Sequence, residues 1–221
     1  MMNNLFSTFD PSSIMNLKLN WLSTLLLMMI IPLNFWFLPN RMSNLIWKIN
    51  MYLKNELTVI TKKNNLMLFF ISLFMLIMLN NFMGLFPYIF TSTSHLSMNL
   101  TISLPLWISI MLFGWINNMN HMFTHLIPQS TPTLLMPFMV MIETISNVIR
   151  PLTLAVRLTA NMIAGHLLIT LLSSMKSILP IYLLIILIFT QILLLTLEMS
   201  VAIIQAYVFM ILTALYSSEI N

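Results

Sequence analysis

Apolar and polar positions fall in long blocks along this chain. Residues 64–142 contain no Asp, Glu, Lys or Arg, and only short polar turns interrupt them. Blocks of about 20 mostly apolar residues are typical of membrane-spanning helices. The pattern therefore predicts an all-α integral membrane protein, with transmembrane helices at about 21–38, 66–82 and 100–116.

Two apolar stretches in the second half, at about 134–172 and 178–216, are too long for upright single spans. Each would be about 58 Å long as a helix, whereas the hydrocarbon core of a membrane is about 30 Å thick. Each is therefore either two short spans with a tight turn or one long, strongly tilted helix. Pro151 could kink the first stretch because proline lacks a backbone donor, but residues 181–216 hold no comparable turn residue. We favour a hairpin of two long tilted membrane helices.

Residues 41–63 have a different pattern, in which lysines lie between apolar residues that recur at intervals of three and four. The recurring residues are Met42, Leu45, Ile46, Ile49, Leu53, Leu57 and Ile60. This spacing predicts a surface amphipathic helix, and the alternative is a partly disordered basic loop. Five basic residues against the single Glu56 put this segment on the cytoplasmic or matrix-like side by the positive-inside rule, with the N-terminus opposite.

Composition supports a membrane protein and excludes several functions. The chain is 59% hydrophobic and 6% charged, whereas about a quarter of the residues in soluble domains are charged. Cysteine is absent, which excludes disulfides and cysteine-based chemistry. The basic residues form no phosphate-tracking patch, so we expect no nucleic-acid partner. The first fifteen residues lack Lys and Arg, so we expect no cleaved targeting segment, and a single membrane domain over 1–221.

Arg157 lies inside an otherwise apolar stretch. An arginine at the centre of a bilayer costs about 2.5–3.5 kcal/mol on insertion scales. At about 100° per residue, Glu143, Arg150 and Asn161 fall within about 40° of Arg157 on one helix face. This polar face on a membrane helix needs a partner.

A second polar stripe follows the other long stretch and consists of Gln191, Glu198 and Gln205, seven residues apart. His166 lies about 180° from Arg157 on a regular helix, which could turn it toward Glu198. Ionisable side chains inside spans usually mark ion or proton pathways, and Glu143, His166 and Glu198 can each carry a proton. Arginine stays protonated, but it can hold a facing carboxylate ionised. Alternatively, Arg157 pairs with Glu143 or Glu198 and only pins two helices together.

His121 and His125 stand four apart, which is a metal-ligand spacing on a helix. No carboxylate lies near in sequence, and the general-base glutamate of an HExxH motif is missing. The surrounding segment, 117–133, is polar and contains two prolines, so we predict a loop there. We expect neither a metal ion nor a cofactor.

Three stretches resemble subunit a of the F-type ATP synthases in its animal mitochondrial form. They are NNFMGLFPYIFTSTSHL at 80–96, MPFMVMIETISNVIRPLTLAVRLTANMIAGHLL at 136–168 and LEMSVAIIQAYVFMILTALY at 197–216, and the N-terminal FDPSS region is also similar. The resemblance covers essentially the whole chain, and AVRLTANMIAGH is highly specific.

That resemblance implies a stator subunit beside a rotating ring of c subunits, with other stator subunits and the lipid bilayer as further neighbours. Two aqueous half-channels, offset around the ring, would admit protons from one side of the membrane and release them on the other. The chain would bind no nucleotide and would not be an enzyme by itself. It would lie in the mitochondrial inner membrane as a multi-pass protein, with residues 41–63 on the matrix side.

The resemblance also implies roles for particular residues. Arg157 matches the family's essential arginine. Asn161 and Gln205 match its polar neighbours that face the ring, His166 and Glu198 the inlet side, and Glu143 the matrix outlet side. Arg150 is a second arginine in the same segment, and we do not assign it the essential role.

Two other classes of function stay open from the residues alone. A solute transporter would show paired halves with interrupted helices, and a redox-linked proton pump would show haem or cluster ligands; the sequence has neither pattern. A purely structural assembly subunit would tolerate neutral replacements of Arg157, Glu143 and Glu198 without loss of proton flux.

Overall fold

The fold is a bundle of helices. A computed structural model describes residues 5–12, 17–32, 38–61, 64–86, 89–127, 132, 134–177 and 180–220. Within these residues the α-helices are α1 (Ser23–Ile30), α2 (Arg41–Ile60), α3 (Asn64–Gly84), α4 (Leu96–Asn117), α5 (Met119–His125), α6 (Met136–Ser174) and α7 (Ile181–Ile220). Short 3₁₀ turns lie at Leu5–Phe9, Leu19–Leu22, Ser92–Ser94 and Met175–Ser177. No strand occurs in this part of the chain, so the prediction of an all-α protein is confirmed.

The two long stretches are continuous helices. Helix α6 has 39 residues and α7 has 40, and the turn at Met175–Ser177 joins them into a hairpin. Pro151 lies buried inside α6 without ending it. Membrane helices tolerate such prolines because neighbouring groups satisfy the freed carbonyl. Both helices are about twice as long as the hydrocarbon core is thick, so they lie strongly tilted if their apolar length stays in the membrane.

Four helices, α3, α4, α6 and α7, are long and apolar enough to cross a membrane. Helices α3 and α4 extend beyond the predicted spans 66–82 and 100–116 at both ends. The predicted span 21–38 is helical over Ser23–Ile30, while residues 33–37 lie outside the described part of the chain. That span therefore stays a prediction.

The segment 117–133 differs from the predicted loop, because α5 occupies Met119–His125. An aromatic contact explains part of this difference. The Phe123 ring meets the Trp115 ring of α4 edge-on at 5.1 Å between centroids, so this short helix packs back on its neighbour. The His125 side chain lies outside the described residues, and among those that are described no group of three or more His, Asp or Glu could hold a metal ion.

Helix α2 packs on the bundle through one face. Leu53 and Leu57 are buried in the core against α3 and α7, while Lys48 and Lys54 are exposed. The hydroxyl of Tyr207 on α7 donates a hydrogen bond to Glu56 Oε2 at 2.9 Å. Residues 41–60 are thus an amphipathic helix attached to the hairpin, and not a loop.

Leu57 should be the main anchor of α2, because its side chain is fully buried. We expect Leu57→Ala to lower the free energy of unfolding by about 2–5 kcal/mol, through lost burial and a remaining cavity. Val59→Ala is the matched control, since Val59 is 86% exposed on the same helix. Thermal unfolding of the purified complex in detergent would measure both, and equal midpoints would contradict the assigned core.

Candidate functional site

A cleft opens between α6 and α7 at the end of the hairpin near its turn. It has a volume of about 530 Å³ and a mostly apolar lining. Its lining includes three polar or ionisable side chains, those of Asn161 and His166 on α6 and Glu198 on α7, and it also includes Gly165. The structure thus brings together three of the polar residues predicted from the sequence. We call this space the Glu198 cleft.

The Glu198 carboxyl group is buried without a protein partner. The residue is only 8% exposed, and neither carboxyl oxygen has a hydrogen-bond partner among the described residues. The same holds for Nε2 of His166. Buried polar atoms without partners are costly, and a water needs only about 10–15 Å³ of free space beside such atoms. The cleft is therefore large enough and polar enough at this point to hold water.

Gly165 makes room for that carboxyl group. A Cβ atom at this position would lie 2.6 Å from Glu198 Oε1 and 2.8 Å from Glu198 Cδ. Both distances are far below van der Waals contact. The close approach of α6 to the Glu198 side chain thus depends on glycine, a requirement that the sequence pattern did not reveal.

The N-terminal turn covers His166. The ring of Phe9 meets the imidazole of His166 edge-on at 6.2 Å between centroids. Nε2 of His95 lies 2.9 Å from the Phe9 carbonyl oxygen, and the His95 ring stacks on Phe90 at 5.2 Å. Residues distant in sequence therefore position the turn against the Glu198 cleft, and no local pattern could have predicted this contact.

A second polar cavity lies at the open end of the hairpin, and Glu143, which lines it, is about 34 Å from His166 along α6. The cavity has a volume of about 50 Å³. Nη2 of Arg150 lies 3.3 Å from Glu143 Oε1, and Nη1 lies 3.6 Å from Oε2 of Glu219 on α7. The Arg150 guanidinium also lies over the Tyr216 ring, at 5.1 Å from its centroid. We call this space the Glu143 cavity.

Glu143 therefore pairs with Arg150 and not with Arg157. The two residues are two helical turns apart on the face that the helical angles predicted, but no feature of the sequence favours Arg150 over Arg157 as the partner of Glu143. Glu219 and Tyr216 come from the other helix of the hairpin, so only the fold could add them. The alternative in which Arg157 pins two helices through Glu143 or Glu198 is wrong within the part of the chain that the structure describes.

Arg157 lies between the two polar spaces. It is about 21 Å from Glu143 and about 14 Å from His166 along α6, and it lines neither space. Its side chain is exposed and has no ion pair among the described residues. Asn161 is exposed one turn away, whereas Gln205 is half-buried on α7 and also lines neither space.

The surface of α6 beside Arg157 holds no acidic residue. Thr153, Ala160 and Asn161, three or four positions away on the same helix, are exposed and uncharged. A cation on such a surface needs an anionic partner, and the chain does not supply one among its described residues. Fold and site together define an all-helical, multi-pass membrane protein in which an exposed arginine lies between two spaces lined by ionisable residues.

Comparisons with known proteins agree with that description. Residues 17–218 match the family described as ATP synthase A chain. The chain is 60% identical over its full length to ATP synthase subunit a of Locusta migratoria, and 61% identical to that of Anopheles gambiae. It is 58% identical to ATP synthase subunit a of Drosophila melanogaster. All three alignments cover 100% of both chains, and this chain belongs to the ATP synthase A chain family.

Proposed function

We propose that this chain moves protons through two half-channels against a rotating ring of c subunits in the ATP synthase membrane sector. The Glu198 cleft is the inlet and the Glu143 cavity is the outlet. Arg157, on the exposed surface between them, faces the ring. The chain converts the flow of protons into rotation of the ring, and it does not bind nucleotide itself.

The single observation that supports this proposal most strongly is the position of Arg157. It is exposed, unpaired among the described residues, and lies between the two polar spaces on one helix. A partner from outside the chain fits this environment, and a carboxylate on a neighbouring membrane subunit has the right charge. Asn161 and Gln205 would be polar neighbours at the same surface.

The sequence of proton transfers follows from the chemistry of the groups. An excess proton carried as hydronium by the inlet water binds to Glu198 or His166, and it passes from there to an ionised ring carboxylate. The neutral carboxyl group then turns into lipid, since an ionised one would be expensive there. When it returns to the outlet it loses the proton toward Glu143. Arg157 stabilises the ionised carboxylate and repels protons that would pass directly between the two half-channels.

The proposed orientation places the outlet on the matrix side of the mitochondrial inner membrane. The basic segment 41–63 lies in the matrix by the positive-inside rule. Helix α3 leaves from that side and α4 returns to it, so α6 begins in or near the matrix. Glu143, close to the start of α6, then faces the matrix, and His166 faces the opposite compartment. The apolar outer surfaces of α4 and α7 contact lipid, the ring and other stator subunits.

Neutral carboxyl replacements test the two half-channels. We expect Glu198→Gln and Glu143→Gln each to lower proton flux through the assembled complex by about tenfold or more. Positioned acid–base groups accelerate proton transfer by about 10²–10⁴-fold, and water in the half-channel would replace part of that acceleration in the variants. Glu56→Gln is the control, because Glu56 is an exposed carboxylate outside both spaces. Proton uptake into vesicles with the reconstituted complex measures the flux. Wild-type flux in both variants would reject the assignment.

A further inference from the structure

We propose that Arg150 is a positioning residue of the outlet, which holds Glu143 and Glu219 together as a pair of carboxylates that accept and release the departing proton. This inference rests on the function proposed above. It adds Arg150 and Glu219 to the proton path and gives both a defined role at the open end of the hairpin.

The Arg150 guanidinium faces two carboxylates at once. One terminal nitrogen faces Glu143 at 3.3 Å and the other faces Glu219 at 3.6 Å. The two carboxylates come from different helices, so Arg150 bridges α6 and α7. A planar guanidinium with its fork of donors suits this double contact, which an ammonium group cannot reproduce. The Tyr216 ring beneath it, at 5.1 Å, fixes the plane of the fork.

The cluster of Arg150, Glu143 and Glu219 has more acidic than basic groups. One cation faces two carboxylates, so the cluster has one negative charge in excess when all three groups are ionised. Among the described residues that line the cavity, Glu143, Arg150, Tyr216 and Glu219 are the charged or titratable groups. An excess of one negative charge lets the cluster accept a single proton. Without Arg150, the two carboxylates would repel each other and move apart.

The three side chains of the cluster differ in their access to water. The side chains of Arg150, Glu143 and Glu219 are 30%, 34% and 46% exposed, so exposure increases toward the end of α7. Partly exposed ion pairs contribute little to stability. A purely structural clamp at this place would be weak, whereas a chain of acceptors from the cavity to the surface is what an outlet requires. Here the proton leaves the ring carboxyl group, binds a Glu143 oxygen, passes to Glu219 and is released to water.

The test compares single and double variants in the intact ATP synthase, reconstituted in vesicles. Proton-driven ATP synthesis is normalised to the amount of assembled complex, so that loss of assembly is counted separately. We expect Arg150→Gln to slow turnover by about three- to tenfold. This loss lies between what the removal of a surface charge pair and of a buried charge pair would cause. Arg150→Lys should recover part of the rate because it keeps the charge. Lys176→Gln, an exposed basic residue at the hairpin turn, should leave turnover unchanged.

The double variant Arg150→Gln with Glu143→Gln separates positioning from a structural role. If Arg150 acts through Glu143, the double variant is no slower than Glu143→Gln alone, because the two effects are not additive. Arg150→Gln should also change the dependence on outlet-side pH while leaving that on inlet-side pH unaltered. Normal turnover per complex in Arg150→Gln, or multiplied losses in the double variant, would overturn the inference.

The outcomes also separate this inference from the proposed function. If Glu143→Gln slows turnover and Arg150→Gln does not, the outlet assignment stands and only the role of Arg150 is rejected. If Glu143→Gln itself has wild-type turnover, both are rejected. Glu219→Gln adds an independent check, since it should slow turnover less than Glu143→Gln but by at least about twofold, given its position nearer the surface.

Discussion

Arg157→Ala is expected to abolish proton-driven ATP synthesis, with a loss of about 10²-fold or more. Losses of this size follow when a preorganised charge directed at a changing charge is removed. Arg157 is exposed between the two polar spaces and has no ion pair among the described residues, so its removal should leave the packed core intact. The rate per assembled complex, measured in vesicles with an imposed proton gradient, tests this expectation.

Two further variants sharpen the Arg157 experiment. Arg157→Lys keeps a cation but loses the planar guanidinium fork, which contacts a carboxylate through two donors at once. We expect its synthesis rate to remain strongly reduced. Lys176→Ala controls for the loss of a basic residue on the same hairpin. Arg157→Ala complexes that synthesise ATP at the wild-type rate would contradict the role of Arg157.

Gly165→Ala is expected to lower proton flux by displacing the Glu198 carboxyl group. The added methyl group would lie 2.6 Å from Glu198 Oε1, so the carboxyl group must move away from its place in the cleft. That group is the end of a flexible side chain, and the helix itself can stay in place. We therefore expect normal assembly, but a loss of proton flux of about tenfold, since misplacement of a reacting group by about 1 Å can cost about 10²-fold.

A second substitution can restore the space that Gly165→Ala removes. Glu198→Asp shortens the side chain by one methylene group and withdraws the carboxyl group from residue 165. The double variant should therefore have a higher proton flux than the product of the two single losses predicts. Proton uptake by vesicles compares the four proteins. If the losses simply multiply, the close approach of Gly165 and Glu198 does not limit the flux.

The sequence predicted the architecture well because its signals are local. Apolar blocks define α3 and α4, and the three- and four-residue spacing of apolar residues defines α2. The lengths of α6 and α7 were ambiguous, since each block could have held two short spans. The absence of a turn residue inside 181–216 favoured a single helix, and the structure has continuous helices in both places.

The candidate site was less accessible to prediction. Helical angles indicated which residues of α6 share a face, and they turned His166 toward the side where Glu198 lies. They could not show that Glu143 pairs with Arg150, because Arg150, Arg157 and Asn161 all share one helix face with Glu143. Glu219, Phe9 and Gly165 act through contacts between distant segments. Such contacts depend on packing, which has no periodic signature in the sequence.

The central claim is that the two polar spaces open to opposite sides of the membrane, and cysteine accessibility tests it most directly. The chain has no cysteine of its own, so single cysteines can be introduced without background in this subunit. Val201 lines the Glu198 cleft and Asn147 lines the Glu143 cavity. Each is replaced by cysteine in the intact complex, in sealed vesicles exposed to a membrane-impermeant thiol reagent on one side at a time.

Labelling of this chain is detected as an increase in its mass, and it shows from which side of the membrane each cysteine is accessible. We predict that Val201→Cys reacts only from the side opposite the basic segment 41–63, and Asn147→Cys only from the side of that segment. Reaction of both cysteines from the same side, or of neither from any side, would contradict two water-filled half-channels separated by Arg157.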